Sequence, residues 1–347
     1  MKLSILSLFT FALAASAAPA GCDFELEGFA KDNPLGPTTG GAGKGSKTVT
    51  VTTVPEFLAA INGTTPTIIK VKGTFNFTAR PRIGSNKSVI GSGKGAWITG
   101  AGLTIVNATN VIVQNLGIRG IKDNDGITIQ NSTRVWIDHN EFTSGNFPAS
   151  GPDEYDGQVD IIRGSDWVTV SWNYFHDHWK SSLIGNNPTF RAIDFGHLHV
   201  TYHHNHWKNE GTRGPAGRFG HQHIYSNLYE DFLYQAIHSR SDNQVLVEGN
   251  VFTGKTREAL STYGLVIPED SPNTGPAGDY ELDGFANLGA SKFFQAMLTT
   301  NPENDFGKAG VNITQVGNFT RAPYRFQLTP LKQVAKVVKS GAGLGQL

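Results

Sequence analysis

The amino-acid sequence predicts an all-β solenoid, a parallel β-helix, on three observations. The first is a shared pattern: a β-prone residue, any residue, a β-prone residue, two variable positions, Asn, any residue, then an aromatic or aliphatic one. It occurs in VIVQNLGI (Asn115), VWIDHNEF (Asn140), VTVSWNYF (Asn173), VTYHHNHW (Asn205), HIYSNLY (Asn227) and VLVEGNVF (Asn250). The second is its spacing. Steps between these asparagines are 25, 33, 32, 22 and 23 residues, so a unit of roughly 22–25 residues recurs and two units carry about ten extra. One unit cannot bury its own apolar side, whereas stacked units bury a continuous core. Asn at one phase predicts an internal ladder, each side chain bonded to the turns above and below. The third is where the extra residues fall, at 144–156 and 181–196, because insertions in a solenoid collect on one face. A propeller blade would need about four strands in about 40 residues, and leucine-rich repeats would need a regular Leu spacing that is absent.

The chain opens with MKLSILSLFTFALAASAAPA: Lys2, an apolar run from Leu3 to Ala15, then small residues. This reads as a secretory signal peptide over residues 1–18, its apolar run too short to span a bilayer. The remainder, 19–347, reads as a single domain. A Gly-rich stretch ending in GGAGKG follows, without the ending or the strand–helix context of a phosphate loop. VPEFLAAI (Val54–Ile61) has helical spacing, with Phe57, Leu58 and Ile61 on one face, and predicts a helix capping one end of the solenoid. TIIKVKGTFNF predicts strands, and the repeat then runs to about Tyr263. PEDSPNTGPAGDY is a loop. In LTPLKQVAKVVKSGAG, Thr329 predicts an N-cap with Pro330 at the first helical position; Val334, Val337 and Val338 form an apolar stripe, and Gly341 a stop. This helix is expected to pack on the outside of the solenoid.

Lys plus Arg and Asp plus Glu are balanced at 29 each, which points away from nucleic acid as a partner. No segment after the leader is long and apolar enough to cross a membrane, so a secreted, extracellular protein is expected; it is also expected to be a monomer. Seven N-x-S/T sequons (Asn62, Asn76, Asn86, Asn107, Asn131, Asn312 and Asn318) fit export through a glycosylating pathway. The single cysteine, Cys22, allows no intrachain disulfide, so packing and hydrogen bonding must supply the stability.

Chemistry concentrates between Asp153 and Gly185. DEYDGQVD places four acidic residues in eight positions, and HDHWKSS then delivers Lys180. Hard carboxylates at a strand edge, followed one run later by a cation, suit Ca²⁺ and an anionic ligand. Two further clusters recur at similar phases: Asp123 and Asp125 in KDNDGI, and Arg213 and Arg218 in RGPAGR. Stacked coils would bring all three to one face.

The segments WIDH (Trp136–His139), DGxxDI (Asp156–Ile161), KSSLIG (Lys180–Gly185) and RxPxxR (Arg213–Arg218) together resemble the pectate lyases of polysaccharide lyase family 1, and the likeness spans roughly residues 27–347. The resemblance implies a right-handed parallel β-helix and Ca²⁺-dependent eliminative cleavage of polygalacturonate. By position it implies Asp125, Asp156 and Asp160 as Ca²⁺ ligands and Asp123 as a helper for further Ca²⁺. It also implies Lys180 and Arg218 as binders of the substrate carboxylate and Arg213 as the base. The residues agree with this chemistry: Ca²⁺ would bridge enzyme and sugar carboxylates, and the cations would stabilise charge as the C5 proton leaves. An arginine base requires neighbouring cations to destabilise its charge, and predicts an alkaline optimum.

Alternatives at this level are a pectin lyase acting on methyl-esterified polymer, a β-helical hydrolase, and a non-catalytic wall-binding protein. HHNH (His203–His206) predicts alternating buried and exposed residues rather than a zinc site. His139 is expected to support the site, and Trp136, Trp172 and Trp207 fit packing between coils as readily as sugar stacking.

Overall fold

The computed structural model describes residues 24–267, 278, 280–289 and 304–347. The expected signal peptide, Cys22 and most of the Pro/Gly loop after Tyr263 lie outside these residues. Three parallel sheets wind as a right-handed β-helix, with ten strands in the first sheet and eight in each of the others among the described residues. From Lys87 to Ser261 each coil passes through the first, second and third sheet in turn.

Alternation along each strand builds the core. Val111, Val135, Val168 and Val200 stack in register in the first sheet, as do Val113, Ile137 and Val170. All of them point inward and are fully buried, because side chains of a strand alternate between its faces. The second sheet contributes an aromatic column: Phe142 on Phe175 at 4.9 Å, Phe175 on Trp207 at 4.0 Å and Tyr229 on Phe252 at 4.6 Å. Such pairs add about 0.5–1.5 kcal/mol each beyond the area they bury.

The corner between the first and second sheets takes two residues. The first is left-handed: His139, Trp172, His204, Ser226 and Gly249 have φ of 52°, 53°, 54°, 52° and 62°. The second is the ladder asparagine. Asn140 Nδ2 donates to Asn173 Oδ1 at 3.0 Å, Asn173 to Asn205 at 3.1 Å, Asn205 to Asn227 at 3.0 Å and Asn227 to Asn250 at 3.0 Å. The ladder continues to Asn304 at 3.3 Å, which the sequence reading missed.

Asn115 corrects the expected ladder by one residue. Its φ of 55° puts it in the left-handed place, and Leu116 occupies the ladder place, donating its N–H to Asn140 Oδ1 at 3.0 Å. Asn tolerates the left-handed region better than most residues, so either corner position can hold it. Asn173→Ala should destabilise the fold by about 1–3 kcal/mol for each buried group left unpaired, among them the Asn140 amide and the Ile137 carbonyl. A denaturation midpoint unchanged from the parent protein would show that the ladder contributes nothing.

The two insertions do not share a corner. Residues 144–156 join the second sheet to the third, whereas 181–196 contain the third-sheet strand Leu183–Ile184 and then lead towards the first sheet. Only the first insertion lies at the corner that holds the acidic cluster.

The N-terminal helix Val54–Ile61 begins at a capping box: Thr53 accepts from the Glu56 amide, and Glu56 accepts from the Thr53 amide. Phe57 and Ile61 are buried as expected, but Leu58 is 43% exposed, on the solvent side of a short end cap. The C-terminal helix Leu331–Gly341 packs Val334 and Val338 against Leu228 and Val251 on the second sheet. Pro330 is its N-cap, and Thr329 does not cap it; the Thr329 hydroxyl instead pairs with His204 Nε2 at 2.7 Å. Gly341 is the last helical residue, where a Cβ would stand 2.7 Å from the Trp172 ring.

The chain after residue 24 covers the outer face of the first sheet. The Phe29 and Ala30 amides donate to Thr201 and Thr169, both at 3.1 Å, and a Cβ on Gly41 would lie 2.0 Å from the Thr67 carbonyl. His203, His204 and Asn205 are all buried, contrary to the expected alternation, with His204 against Trp172 and Thr329 and Asn205 in the ladder. Burial holds the His204 imidazole down at about 3. His139 belongs to this covered corner too, bonded through Nδ1 to Asp138 at 2.7 Å and packed on Phe24 and Trp172. It does not support the charged site. Trp136, Trp172 and Trp207 are all packing residues, buried to 9% exposure or less.

Candidate active site

The charged residues of all three clusters meet along the corner between the second and third sheets and the third-sheet strands that follow it. Asp123 and Asp125 lie between strands Gly117–Arg119 and Ile127–Gln130, one coil before Asp153, Asp156 and Asp160. Lys180 ends the next second-sheet strand, Tyr174–Lys180, and pairs in register with Thr212, one residue before Arg213. Arg218 ends the third-sheet strand Ala216–Arg218, farther along the same coil.

Asp125 and Asp160 form a buried carboxylate pair. Asp125 accepts from the Thr128 hydroxyl and from the Gly157 amide at 3.1 Å, and Asp160 accepts from the Leu183 amide at 3.0 Å. A Cβ on Gly157 would stand 2.3 Å from Asp160 Oδ1 and 3.1 Å from Asp125 Oδ1, so glycine is what leaves room for both oxygens. Burial, and then the charge of Asp156, push the Asp125 carboxyl above its ordinary value. Burial, and then Asp125 and Asp156, push Asp160 well above it. Like charges at close quarters in a low-dielectric corner account for both directions.

Asp156 is not drawn into this pair. It is exposed and lies 3.6 Å from Lys180 Nζ, which also takes Asp153 at 3.0 Å. Asp123 is exposed on a left-handed residue with φ of 59°. Among the described residues no three carboxylate, imidazole or thiol groups converge closely enough to enclose a metal ion. The donors nonetheless suit a hard cation: oxygens alone, two of them buried with unfavourable mutual charge, around a cradle that a Cβ would fill.

Arg213 has a φ of 68° and follows the last residue of strand His206–Thr212, before Pro215 redirects the chain. Among the described residues its guanidinium makes no hydrogen bond or ion pair. Burial lowers its pKa; the charge of Asp160 opposes this and that of Arg218 adds to it. A guanidinium whose charge is destabilised is what arginine needs in order to act as a base. Arg218 is differently placed. Its Nε and Nη2 pair with Glu281 at 2.8 and 2.5 Å, and Nη1 donates to the Gly185 carbonyl at 2.8 Å.

Two participants escaped the sequence reading. Arg80 stands 3.9 Å from Asp125 and donates to Thr128, and Glu281 clamps Arg218. Neither lies in the Asn-phased repeat. Asp153 was visible in the acidic stretch, but nothing in the sequence marked it as the partner of Lys180.

Comparison with known proteins decides what scaffold this is. The pectate lyase family profile matches residues 2–266. The chain belongs to the pectate lyase family. It is 41% identical over 256 residues to a probable pectate lyase B of Aspergillus terreus, covering 73% of this chain and 75% of the relative. It is 42% identical over 269 residues to pectate lyase A of Emericella nidulans, covering 76% and 81%. Among solved structures, a Bacillus sp. pectate lyase in complex with trigalacturonate superposes with a TM-score of 0.72 at 27% identity, over 92% of this chain and 99% of that one. A thermostable pectate lyase follows with a TM-score of 0.70 at 25% identity, over 92% and 97%. Membership makes this chain a polysaccharide lyase, and the right-handed β-helix expected from the resemblance is the fold observed.

Proposed function

We propose that this pectate lyase is secreted and calcium-dependent, and that it cleaves the α-1,4-linked galacturonan of plant cell walls by β-elimination to 4,5-unsaturated oligogalacturonides. The observation that carries this reading is a half-buried Arg213 guanidinium, unpaired among the described residues, on the same corner as the Asp125–Asp160 pair and Lys180. The trigalacturonate complex of the Bacillus relative supports the substrate class.

Asp125, Asp160 and Asp156 would hold Ca²⁺, with Asp123 placed to help when substrate brings further ions. Bound Ca²⁺ supplies positive charge that neutralises a uronate carboxylate and acidifies the carbon next to it. Arg213, as the neutral guanidine, takes the C5 proton. The C5–H electron pair becomes the C4–C5 double bond, the C4–O bond breaks, and the leaving oxygen takes a proton from water. Lys180 lies on the same rim and gives the sugar carboxylate a cation in exchange for its contacts with Asp153 and Asp156. Arg218 was expected to bind the same carboxylate, and it does so only through N–H groups that Glu281 and Gly185 leave over. We read residues 1–18 as a signal peptide and 19–347 as one monomeric extracellular domain.

The test is ultraviolet absorbance of a conjugated unsaturated uronate, followed on polygalacturonate with and without a calcium chelator. Product that accumulates only with calcium is the expected result. Shortened polymer without the chromophore would point to a hydrolase, and chelator-resistant activity confined to methyl-esterified polymer would point to a pectin lyase.

A further inference from the structure

Arg218 is held before any substrate arrives. The side-on pair with Glu281 and the bond to Gly185 use three of its five N–H groups, so among the described residues two remain for another acceptor. The side-on fork, which a sugar carboxylate would otherwise fill, is occupied by a carboxylate of the protein itself.

Glu281 is well anchored. Ser241 Oγ donates to its Oε2 at 2.7 Å, and Arg240 Nη1 lies 3.5 Å from Oε1. Its chain is pinned through the Leu282 carbonyl, which accepts from the Ser241 amide at 2.6 Å, and through Asp283, which accepts from the Gly264 amide at 2.8 Å. A Cβ on Gly284 would stand 2.5 Å from the Arg240 nitrogen, so this segment lies directly against the strand that carries Arg240. Burial alone would raise the Glu281 carboxyl. The hydrogen bond from Arg218 and the charges of Arg240 and Arg218 overcome that and hold it at about 2, so it is ionised throughout the working range.

We propose that Glu281 is a positioning residue of the lyase site. It fixes Arg218 side-on and dictates which N–H groups Arg218 can offer an acidic sugar. The proposal rests on the lyase reaction described above. Its physical basis is that a bidentate carboxylate fixes the plane of a guanidinium, and misplacement of a binding group by about 1 Å can cost as much as 10²-fold in rate.

The experiment measures kcat and KM on polygalacturonate at saturating calcium for the parent enzyme, Glu281→Gln, Glu281→Asp and Ser241→Ala, with thermal unfolding of each. Folded Glu281→Gln should lose about tenfold or more in kcat with KM changed by less than about threefold, because orientation at the reacting sugar is lost rather than general affinity. Glu281→Asp keeps the charge and should recover most of that loss. Folded Glu281→Gln with the parent kcat would overturn the proposal, as would Glu281→Asp no better than Glu281→Gln. Should Glu281→Gln fail to fold, Ser241→Ala decides: it frees one carboxylate oxygen without removing charge, and kcat should fall about threefold. A folded Ser241→Ala enzyme with the parent kcat overturns the idea. If the parent enzyme forms no unsaturated product, the reading of the reaction itself falls, a result distinct from a variant that matches an active parent.

Discussion

Arg213→Lys is expected to collapse kcat by about 10²- to 10⁴-fold, the range that proton transfer by a positioned base supplies, while KM stays near the parent value. Lysine keeps the positive charge but shortens the reach and loses the planar fork. A group that only binds substrate would show the opposite split, a raised KM with kcat largely kept. The surroundings favour the base. Arg213 is unpaired among the described residues, and burial lowers its pKa. The sign of the pH dependence follows: the neutral guanidine fraction grows as pH rises, so kcat should climb from neutral towards alkaline pH in the parent enzyme. Both constants for Arg213→Lys, measured across pH at saturating calcium, decide the matter. A variant with near-parent kcat removes Arg213 from the chemistry.

Asp160→Asn is expected to abolish calcium-dependent activity and calcium binding while the fold survives. The Leu183 amide keeps an acceptor, since Asn retains the oxygen that Asp160 offers it at 3.0 Å. What disappears is one of two like charges buried around Gly157. The chelated variant should therefore be at least as stable as the chelated parent, because the repulsion with Asp125 is gone. In the parent, a ligand that binds only the native state at a hundredfold excess over its dissociation constant stabilises by about 2.7 kcal/mol, and this gain should be absent in Asp160→Asn. Thermal unfolding with calcium and with chelator reads both effects. Full activity of Asp160→Asn, or of the parent in excess chelator, would exclude Asp160 as a ligand.

Most of the architecture was legible because its cause is local. Strand residues alternate in and out with a period of two, so VxV patterns at a recurring step already imply stacked valines. Misreadings arose where one residue type suits two adjacent places or where two partners compete for one group. Asn115 fits the left-handed corner residue as well as the ladder position, and only the pairing register separates them. Thr329 has the chemistry of an N-cap, but His204 takes its hydroxyl. His139 sits beside Asp138 in a recognisable motif, yet both lie on the corner that the N-terminal segment covers.

For the site, the chain by itself determined which ionisable residues recur at the phase of one solenoid corner: Asp123, Asp125, Asp156, Asp160, Lys180 and Arg213. That is a consequence of coil length, which places residues one unit apart one strand spacing apart. Tertiary structure decided how those charges are shared. Lys180 pairs with Asp153 and Asp156, Asp125 and Asp160 face each other across Gly157, and Arg218 is taken by Glu281, 63 residues away and outside the Asn-phased repeat. Electrostatic pairing depends on distances of a few ångströms between side-chain ends and on how much water they lose, and neither is a property of spacing along the chain.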